Sequence, residues 1–328
     1  MSHSFTRRHF LGLTAGACSM AAAGALGGCT FGEPLLRIGA HPWPGYEMFY
    51  LAREKGWLDP ESIRLVEMPS ASDSIQALYA GSLEGAALTL DEVMMVAATG
   101  LDLKVVAVLD ISLGADVLLA QSRYRSMAEL KGKRIGVENS ATGALMLEGA
   151  LAAADLTVAD IRPVYMTIDK HHHAFLQQEV DAVVTYEPVR TELLAAGARS
   201  LFDSSMIRGQ IVDVLALRSD ALADNRVAIQ QLVTAHFRAL QEMKKDPASA
   251  SRIIAAQLGV SPDEVPGQYD KMEMPDPMAN QSWLGGSHPQ LDRTVLILQD
   301  IMRRNALLPA TPISVSFADA QFLPRETV

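Results

Sequence analysis

The chain has 328 residues, 49% of them hydrophobic, and carries 28 Lys and Arg against 38 Asp and Glu, a formal net charge of −10. A negatively charged surface repels phosphate backbones, so we expect no nucleic-acid partner. After the N-terminal segment no uncharged apolar run reaches the ~20 residues that a membrane helix needs. The two cysteines, Cys18 and Cys29, provide no disulfide framework.

The N-terminal segment has the pattern of a bacterial export signal. Arg7 and Arg8 precede an uncharged run, residues 12–28, that is rich in Ala and Gly. The paired arginines resemble a twin-arginine signal, and a Sec-type signal is the alternative. We expect residues 1–28 to be removed and the protein to work on the periplasmic or cell-surface side of a membrane.

Cys29 ends this segment. The sequence Leu26-Gly27-Gly28-Cys29 resembles a lipobox, in which the chain is cut before a cysteine that then carries lipid. The alternative is an unpaired thiol. We expect a lipidated Cys29, a tether over residues 29–34 and peripheral attachment to a membrane.

Two stretches alternate between short apolar runs and longer segments of helical period, which is typical of α/β sheets. The predicted strands and helices lie at 35–40, 46–55, 63–68, 73–80 and 86–90, and again at 134–137, 143–153, 163–168, 172–178 and 182–186. The two stretches also share sequence. Arg37-Ile38-Gly39 recurs as Arg134-Ile135-Gly136, and the pattern Leu83-Glu84-Gly85 recurs as Val180-Asp181-Ala182, each 97 positions later.

We therefore expect an α/β fold of two similar lobes, with mainly parallel sheets flanked by helices. Apolar runs at 117–120 and 211–217 are predicted to be the strands that cross between the lobes, and the chain after residue 220 is mostly helical. The predicted lobes are 35–118 with 218–328, and 119–217. Residues 271–278 are expected to form a surface loop, with a lid as the alternative.

Loops that follow the predicted strands are the expected ligand site, because ligands of open α/β sheets bind beyond the carboxyl ends of the strands. The candidate ligand-binding residues in these loops are Trp43, Tyr46, Ser72, Asp91, Ser140, Thr142, Tyr186 and Glu187.

Each candidate also has a structural alternative. Trp43 could cap the core of its lobe, with Tyr46 as the first helix residue, and Ser72 and Ser140 could be helix N-caps. Asp91 and Glu187 could form salt bridges or begin helices. If both acids line a cleft, an amine, amidine or aminopyrimidine fits better than a small inorganic anion.

No sequence motif indicates catalysis or a cofactor. His171-His172-His173 is predicted to be a solvated helix start, since adjacent helical residues point in different directions and cannot share one metal ion. Glycine-rich nucleotide loops and the Gly-x-Ser-x-Gly motif are absent from the sequence. We expect no metal, no cofactor and no catalytic residue.

Four segments resemble solute-binding proteins of ABC importers, of the nitrate/sulfonate/taurine type that includes binders of thiamine pyrimidine precursors. They are residues 46–58, 81–92, 130–138 and 180–188. The resemblance implies a type II periplasmic-binding fold, in which two crossover strands join the lobes and the ligand lies between them. It implies ligand contacts for Trp43, Tyr46, Ser72, Asp91 and Glu187.

The function implied is noncovalent capture of a small polar solute by a monomer and its delivery to an ABC permease and ATPase. One alternative is an enzyme of the pyrimidine-precursor synthase type, although the cysteine-rich motif of those enzymes has no equivalent here. The other is a ligand-sensing subunit of a membrane signalling system.

Overall fold

The structure, a computed structural model, describes residues 34–309 and 316–325. The predicted export signal at residues 1–28 and the lipid site at Cys29 lie outside the described residues. Within the described ranges, no helix has both the length and the apolar character needed to cross a membrane.

The first lobe begins with three parallel strands, as the sequence predicts. β1 (Leu36–Ala40) pairs with β2 (Ile63–Glu67) on one side and with β3 (Gly85–Thr89) on the other. Helices α1 (Glu47–Glu54) and α2 (Ala71–Tyr79) connect these strands, and α3 (Leu90–Ala98) follows β3 directly. Left-handed glycines, Gly56 and Gly81, follow α1 and α2 and allow the chain to turn there.

The next strand, β4 (Leu103–Ser112), is absent from the sequence-based prediction. Every residue of β4 except Lys104 is buried. A strand that is covered on both faces lacks the alternation of apolar and polar residues by which strands are recognised. The prediction from periodicity therefore missed the longest strand of the described chain.

The second lobe repeats the three-strand arrangement. Its elements are β5 (Val117–Ala120), β6 (Arg134–Val137), α4 (Ala141–Ala152), β7 (Arg162–Tyr165), α5 (Ile168–Leu176), β8 (Ala182–Thr185), α6 (Val189–Ala195) and β9 (Arg199–Asp203). β6 pairs in parallel with β7 and β8, while β5 runs antiparallel to β8 and β9. The strand predicted at 163–168 ends early, because Ile168 already begins α5.

The chain then returns to the first lobe. β10 (Val212–Arg218) lies antiparallel between β3 and β4. The remaining elements are α7 (Arg226–Lys245), α8 (Pro247–Leu258), α9 (Val265–Tyr269), β11 (Met272–Glu273), α10 (Pro277–Leu284) and α11 (Gln290–Arg304). The loop predicted at 271–278 is wrong in part, because it contains β11, which pairs with β4, and the start of α10.

Among the described residues the two sheets have six and five strands, in the orders β11-β4-β10-β3-β1-β2 and β7-β6-β8-β5-β9. The chain passes between them at residues 113–116 and again at 204–211. Both sheets are flanked by helices, and a large apolar core extends from the first lobe to β5 and α4 of the second. The exact lobe limits given above stay a prediction.

The repeat in the sequence corresponds to equivalent hydrogen bonds. The backbone N–H and Nε of Arg37 donate to Glu84 Oε2, at 2.7 and 2.9 Å. The backbone N–H and Nε of Arg134 donate to Asp181 Oδ2 in the same way, at 3.1 and 3.2 Å. In each lobe this arginine begins the central strand of the parallel trio and fixes the turn before the third strand.

Candidate ligand-binding cleft

A cavity lies between the two lobes, at the carboxyl ends of the parallel strands. It measures about 30 Å3, which is small because side chains from the two lobes contact each other across it. The lining residues come from both lobes and from the first crossover segment: His41, Trp43, Tyr46, Ala71, Thr89, Glu92, Asp116, Glu138, Ser140, Thr142, Gly143, Met146, His171, Val184, Tyr186 and Asp213.

Two aromatic residues after β1 each hold a buried carboxyl group. Trp43 precedes a short 3-10 turn with Pro44 at its first position, which presents the indole Nε1 to Asp110 Oδ2 at 2.9 Å. Tyr46 ends that turn and donates its phenol hydrogen to Asp213 Oδ1 at 2.5 Å. Asp110 and Asp213 are partners in the β4–β10 ladder, so their carboxyl groups lie close together.

Burial, together with the charge of the nearby Asp116, raises the pKa of Asp110 to about 8, although the hydrogen bond from Trp43 acts in the opposite direction. The pKa of Asp213 also lies well above its ordinary value, chiefly through burial and then through the charge of Asp110. Two carboxylates in the same buried, water-poor site repel each other, so the protonation state of one depends on that of the other.

The starts of helices α3 and α4 meet across the cleft. Thr89 is the N-cap of α3, and its Oγ1 lies 2.7 Å from Thr142 Oγ1 in the first turn of α4. Thr142 in turn donates to Asp91 Oδ2 at 3.1 Å. Burial raises the pKa of Asp91 to about 6, and burial together with the charge of Asp91 raises the pKa of Glu92 to about 8.

The end of β4 and both crossover segments are joined by hydrogen bonds beside the cavity. The hydroxyl oxygens of Ser112 and Ser204 lie 2.7 Å apart, and Ser204 Oγ also accepts the N–H of Gly114 at 2.7 Å. Asp116 follows in the same segment, and its N–H donates to Ser112 Oγ at 3.3 Å. Burial raises the pKa of the Asp116 carboxyl to about 7.

Glu138 and Tyr186 of the second lobe form the remaining wall of the cavity. Ser72 of the first lobe donates its hydroxyl hydrogen to Glu138 Oε1 at 3.0 Å, and burial raises the pKa of Glu138. The ring of Tyr186 packs edge-on against His41 and Trp43, with centroids 5.8 and 5.6 Å away.

His171 is buried at the cavity, which corrects the prediction of a solvated helix start for this residue. Its Nε2 lies 3.3 Å from the carbonyl oxygen of Met166, which only accepts, so Nε2 carries hydrogen and Nδ1 accepts from Thr185 at 3.2 Å. Burial lowers the pKa of His171 to about 4, so the ring is neutral at pH 7.

The structure brings five of the predicted site residues to the cavity: Trp43, Tyr46, Ser140, Thr142 and Tyr186. Ser140 is also the N-cap of α4, accepting the N–H of Gly143 at 3.1 Å. Ser72 lies inside α2, whose N-cap is Ser70, and reaches the site through Glu138.

The two predicted acids lie outside the lining. Asp91 stands one residue behind it, bonded to Thr142. Glu187 accepts from Arg190 Nη1 at 2.8 Å and from the N–H of Thr191 at 3.0 Å, which is the salt-bridge alternative raised from the sequence. A direct contact of either acid with ligand stays a prediction.

Seven polar lining residues were not among the predicted site residues: His41, Thr89, Glu92, Asp116, Glu138, His171 and Asp213. Asp116 and Asp213 flank the crossover segments within apolar sequence, and Glu138 follows β6. An acid beside a strongly apolar strand is the signal that could have found these three. His41 and His171 carry no such signal, since buried neutral histidines are common in cores.

Several polar atoms at the cavity lack a hydrogen-bond partner among the described residues. Four belong to lining residues: Asp116 Oδ2, Asp213 Oδ2, the Tyr186 hydroxyl and His41 Nδ1. Asp91 Oδ1 and Asp110 Oδ1, directly behind the lining, are likewise unpaired. Across residues 34–309 and 316–325, no three His, Cys, Asp or Glu side chains are placed to hold a metal ion.

Comparison with known proteins identifies the family. A sequence model described as NMT1/THI5 like matches residues 43–250. The chain belongs to this family. It is 29% identical over 214 residues to a putative aliphatic sulfonates-binding protein of Escherichia coli K12, covering 64% of this chain and 66% of that one. It is 31% identical over 161 residues to a putative binding protein of Brucella abortus, covering 47% and 48%.

The chain thus spans two thirds or less of the length of these relatives. Solved structures share its fold over a larger part of both chains. The alkanesulfonate-binding protein SsuA of Xanthomonas axonopodis, bound to MOPS, superposes with a TM-score of 0.71 at 22% identity, covering 87% of this chain and 97% of that one. The periplasmic aliphatic sulphonate-binding protein SsuA of Escherichia coli gives 0.69 at 23% identity, covering 88% and 99%. The fold of this NMT1/THI5-like chain is that of the periplasmic binding proteins.

Proposed function

We propose that this chain is the solute-binding lipoprotein of an ABC importer, which captures a small polar, nitrogen-containing solute in the cleft and delivers it to a permease. The observation that carries this proposal is the group of buried, unpaired polar atoms at the cavity. An unpaired buried polar atom costs about 1–3 kcal/mol. A solute that pairs with several of them therefore stabilises the closed protein.

Noncovalent capture, without a chemical step, is supported by the residue types available. The sequence has no cysteine after Cys29, so the cleft offers no thiol nucleophile. The cavity lining combines aromatic rings, hydroxyl groups and carboxyl groups, a composition suited to holding a polar molecule. We assign no catalytic residue.

Capture requires the lobes to move apart and close again, since the cavity of about 30 Å3 is too small for an organic solute to enter as it stands. The crossover segments 113–116 and 204–211 are the hinge of this motion. Closed-state contacts between the lobes, such as Thr89 with Thr142 and Ser72 with Glu138, act together with ligand contacts to favour closure.

The partners in this proposal are a membrane permease and its ATPase. Lipidation at Cys29 keeps the exported monomer near them, which raises its local concentration at the permease. The sulfonates named for the relatives are one candidate class of solute.

The test uses the chain from residue 30 onward, purified without lipid. Native mass spectrometry identifies any retained solute, titration calorimetry measures its affinity, and small-angle X-ray scattering follows closure. We expect a bound solute that is released unchanged, a smaller radius of gyration when it is bound, and slower uptake by cells that lack the gene. Conversion of the solute would instead support an enzyme, and normal uptake with altered membrane signalling would support a sensor.

A further inference from the structure

Six buried carboxyl groups collect at the cleft. Glu92, Asp116, Glu138 and Asp213 line the cavity. Asp91 and Asp110 lie behind it, each bonded to a lining residue. Among the described residues that line the cavity, none is Lys or Arg, and none of the six acids belongs to an ion pair with a described basic residue.

Other buried acids of the same chain are treated differently. Glu187 is paired with Arg190, and Asp181 is paired with both Arg123 and Arg134. A buried carboxylate is costly unless a cation or several donors meet it. Glu47, which lies outside the cavity lining, is buried without an ion pair and is the exception among these acids. The fold thus supplies counter-charge to two of the three buried acids outside the cleft and to none of the six at the cleft.

The positions of the unpaired atoms indicate what is missing. Asp116 Oδ2 and Asp213 Oδ2 belong to lining residues and lack a partner, and each can only accept hydrogen bonds once its carboxyl group is ionised. Asp116 ends the first crossover segment and Asp213 lies in β10, directly after the second, so one molecule bonded to both would link the two sides of the hinge. The rings of Trp43 and Tyr186 stand at the same cavity, and a ring face attracts a positive charge.

We infer that the solute is a compact organic cation bearing N–H donors, such as an alkylammonium or amidinium ion, and that the cleft rejects sulfonates and other anions. This inference rests on the proposed function of solute capture. The cation replaces the absent Lys or Arg and forms charge-assisted hydrogen bonds with the unpaired carboxylate oxygens. A sulfonate placed there meets carboxylates and gains no basic partner.

Cation binding is expected to release protons. Carboxyl groups whose pKa is raised hold protons near neutral pH, and an arriving cation favours the charged form. The other titratable groups around them are His41, Tyr46, Asp73, His171, Tyr186 and Glu187. Burial holds the pKa of both histidines near 4 and that of both tyrosines well above 10, so these four stay neutral between pH 6 and 8.5.

The experiment is a thermal-shift screen of the unlipidated protein, stripped of retained solute by unfolding and refolding. The compounds form matched sets that share one carbon frame and differ in the head group: amine, amidine, alcohol, trimethylammonium and sulfonate. We expect the amines and amidines to raise the melting temperature, and the sulfonates to leave it unchanged. Trimethylammonium ions should bind more weakly, because they carry charge without an N–H donor.

Calorimetry with the strongest amine then tests the charge. We expect its Kd to fall as pH rises from 6 to 8, by up to about tenfold per unit for each proton released. Asp213→Asn and Asp116→Asn should each weaken binding about 10- to 100-fold. Neither variant should melt earlier, since each replaces a carboxyl group that has an unpartnered oxygen by an amide of nearly the same shape. Glu179→Gln, at an exposed acid of the second lobe, is the matched control for charge and should bind normally.

Opposite results have separate meanings. A sulfonate that stabilises the protein, most of all at low pH, would mean that protonated carboxyl groups donate to an anion; it overturns the cation assignment and still supports solute capture. An amine series without effect, or an affinity independent of pH and of Asp213, also overturns the assignment. Absence of binding by every class would count against solute capture itself.

Discussion

The hydroxyl oxygens of Thr89 and Thr142 lie 2.7 Å apart and join the two lobes at the starts of α3 and α4. Thr142 donates its one hydroxyl hydrogen to Asp91 Oδ2, at 3.1 Å. Thr89 is therefore the donor in the contact between the two threonines. Closure of the lobes is therefore tied to the buried carboxylate of Asp91.

Replacing Thr142 by Val keeps the shape of the side chain and removes both hydrogen bonds. We expect the closed state to lose about 1–3 kcal/mol, which lowers solute affinity about 5- to 100-fold. Calorimetry measures the affinity, and small-angle scattering of the solute-free protein should give a larger radius of gyration. Thr142→Ser restores the hydroxyl group and is expected to bind as the parent does; an equal loss in both variants would assign the effect to packing.

The solute-free protein is expected to lose stability as pH rises from 6.5 to 8.5. Burial raises the pKa of Asp116 to about 7 and the pKa of Asp110 and Glu92 to about 8, whereas in the unfolded chain these groups titrate near pH 4. The folded state holds these protons more tightly, so its advantage is complete below pH 4 and disappears as pH passes the folded values.

Urea unfolding at pH 6.5, 7.5 and 8.5 measures this loss. The buried histidines act in the opposite direction, since burial lowers the pKa of His41 and His171 to about 4 and of His236 to about 3. Their effect is confined to the acidic side of pH 6.5, where the unfolded chain takes up protons. Asp110→Asn should make the dependence on pH shallower, and a slope that stays the same would show that Asp110 is already ionised.

Glu187 is expected to stabilise the second lobe more than it binds solute. It is about 1% exposed and accepts from both Arg190 and the backbone of Thr191. Removing one partner of a buried ion pair costs about 3–5 kcal/mol, so Glu187→Ala should lower the free energy of unfolding by roughly that amount. Urea unfolding and calorimetry together check this: affinity should change less than twofold. A large loss of affinity at unchanged stability would restore the role predicted from the sequence.

Cys29→Ala is expected to release the protein from the membrane into the soluble exported fraction, because the sequence offers no other site for a lipid anchor after the signal. Fractionation of cells that express either form measures the distribution. Solute affinity of the two forms should be equal, since residue 29 precedes the first strand. Continued membrane association of the variant would contradict lipidation at this cysteine.

The repeated halves were predictable because identical constraints act in both. Arg37 and Arg134 begin central strands and bond an acid one strand away, so the same residue types recur at the same spacing. The three parallel strands of each lobe follow from local apolar patterns. Five of eight predicted site residues reach the cavity because loops after parallel strands share one edge of a sheet.

What escaped prediction depends on distant parts of the chain. β4 is buried on both faces by elements far away in sequence, so its own residues show no period. Asp110 and Asp213 become a pair only when β10 returns from the second lobe and lies beside β4. Glu187 and Asp91 occupy equivalent positions in the sequence pattern of the two lobes. Only the fold reveals that Glu187 is neutralised by Arg190, whereas Asp91 has no basic partner among the described residues.

The hydroxyl contact between Ser112 and Ser204 fastens the outgoing and returning segments to each other at the point where both leave their sheets. Two crossover segments held side by side resist sliding and twisting of one lobe against the other. Rotation of the lobes about an axis through both segments is the motion that meets least resistance. Under the proposed function, occupancy of the cleft is then reported by a single angle between the lobes, which a membrane partner can recognise without contacting the solute.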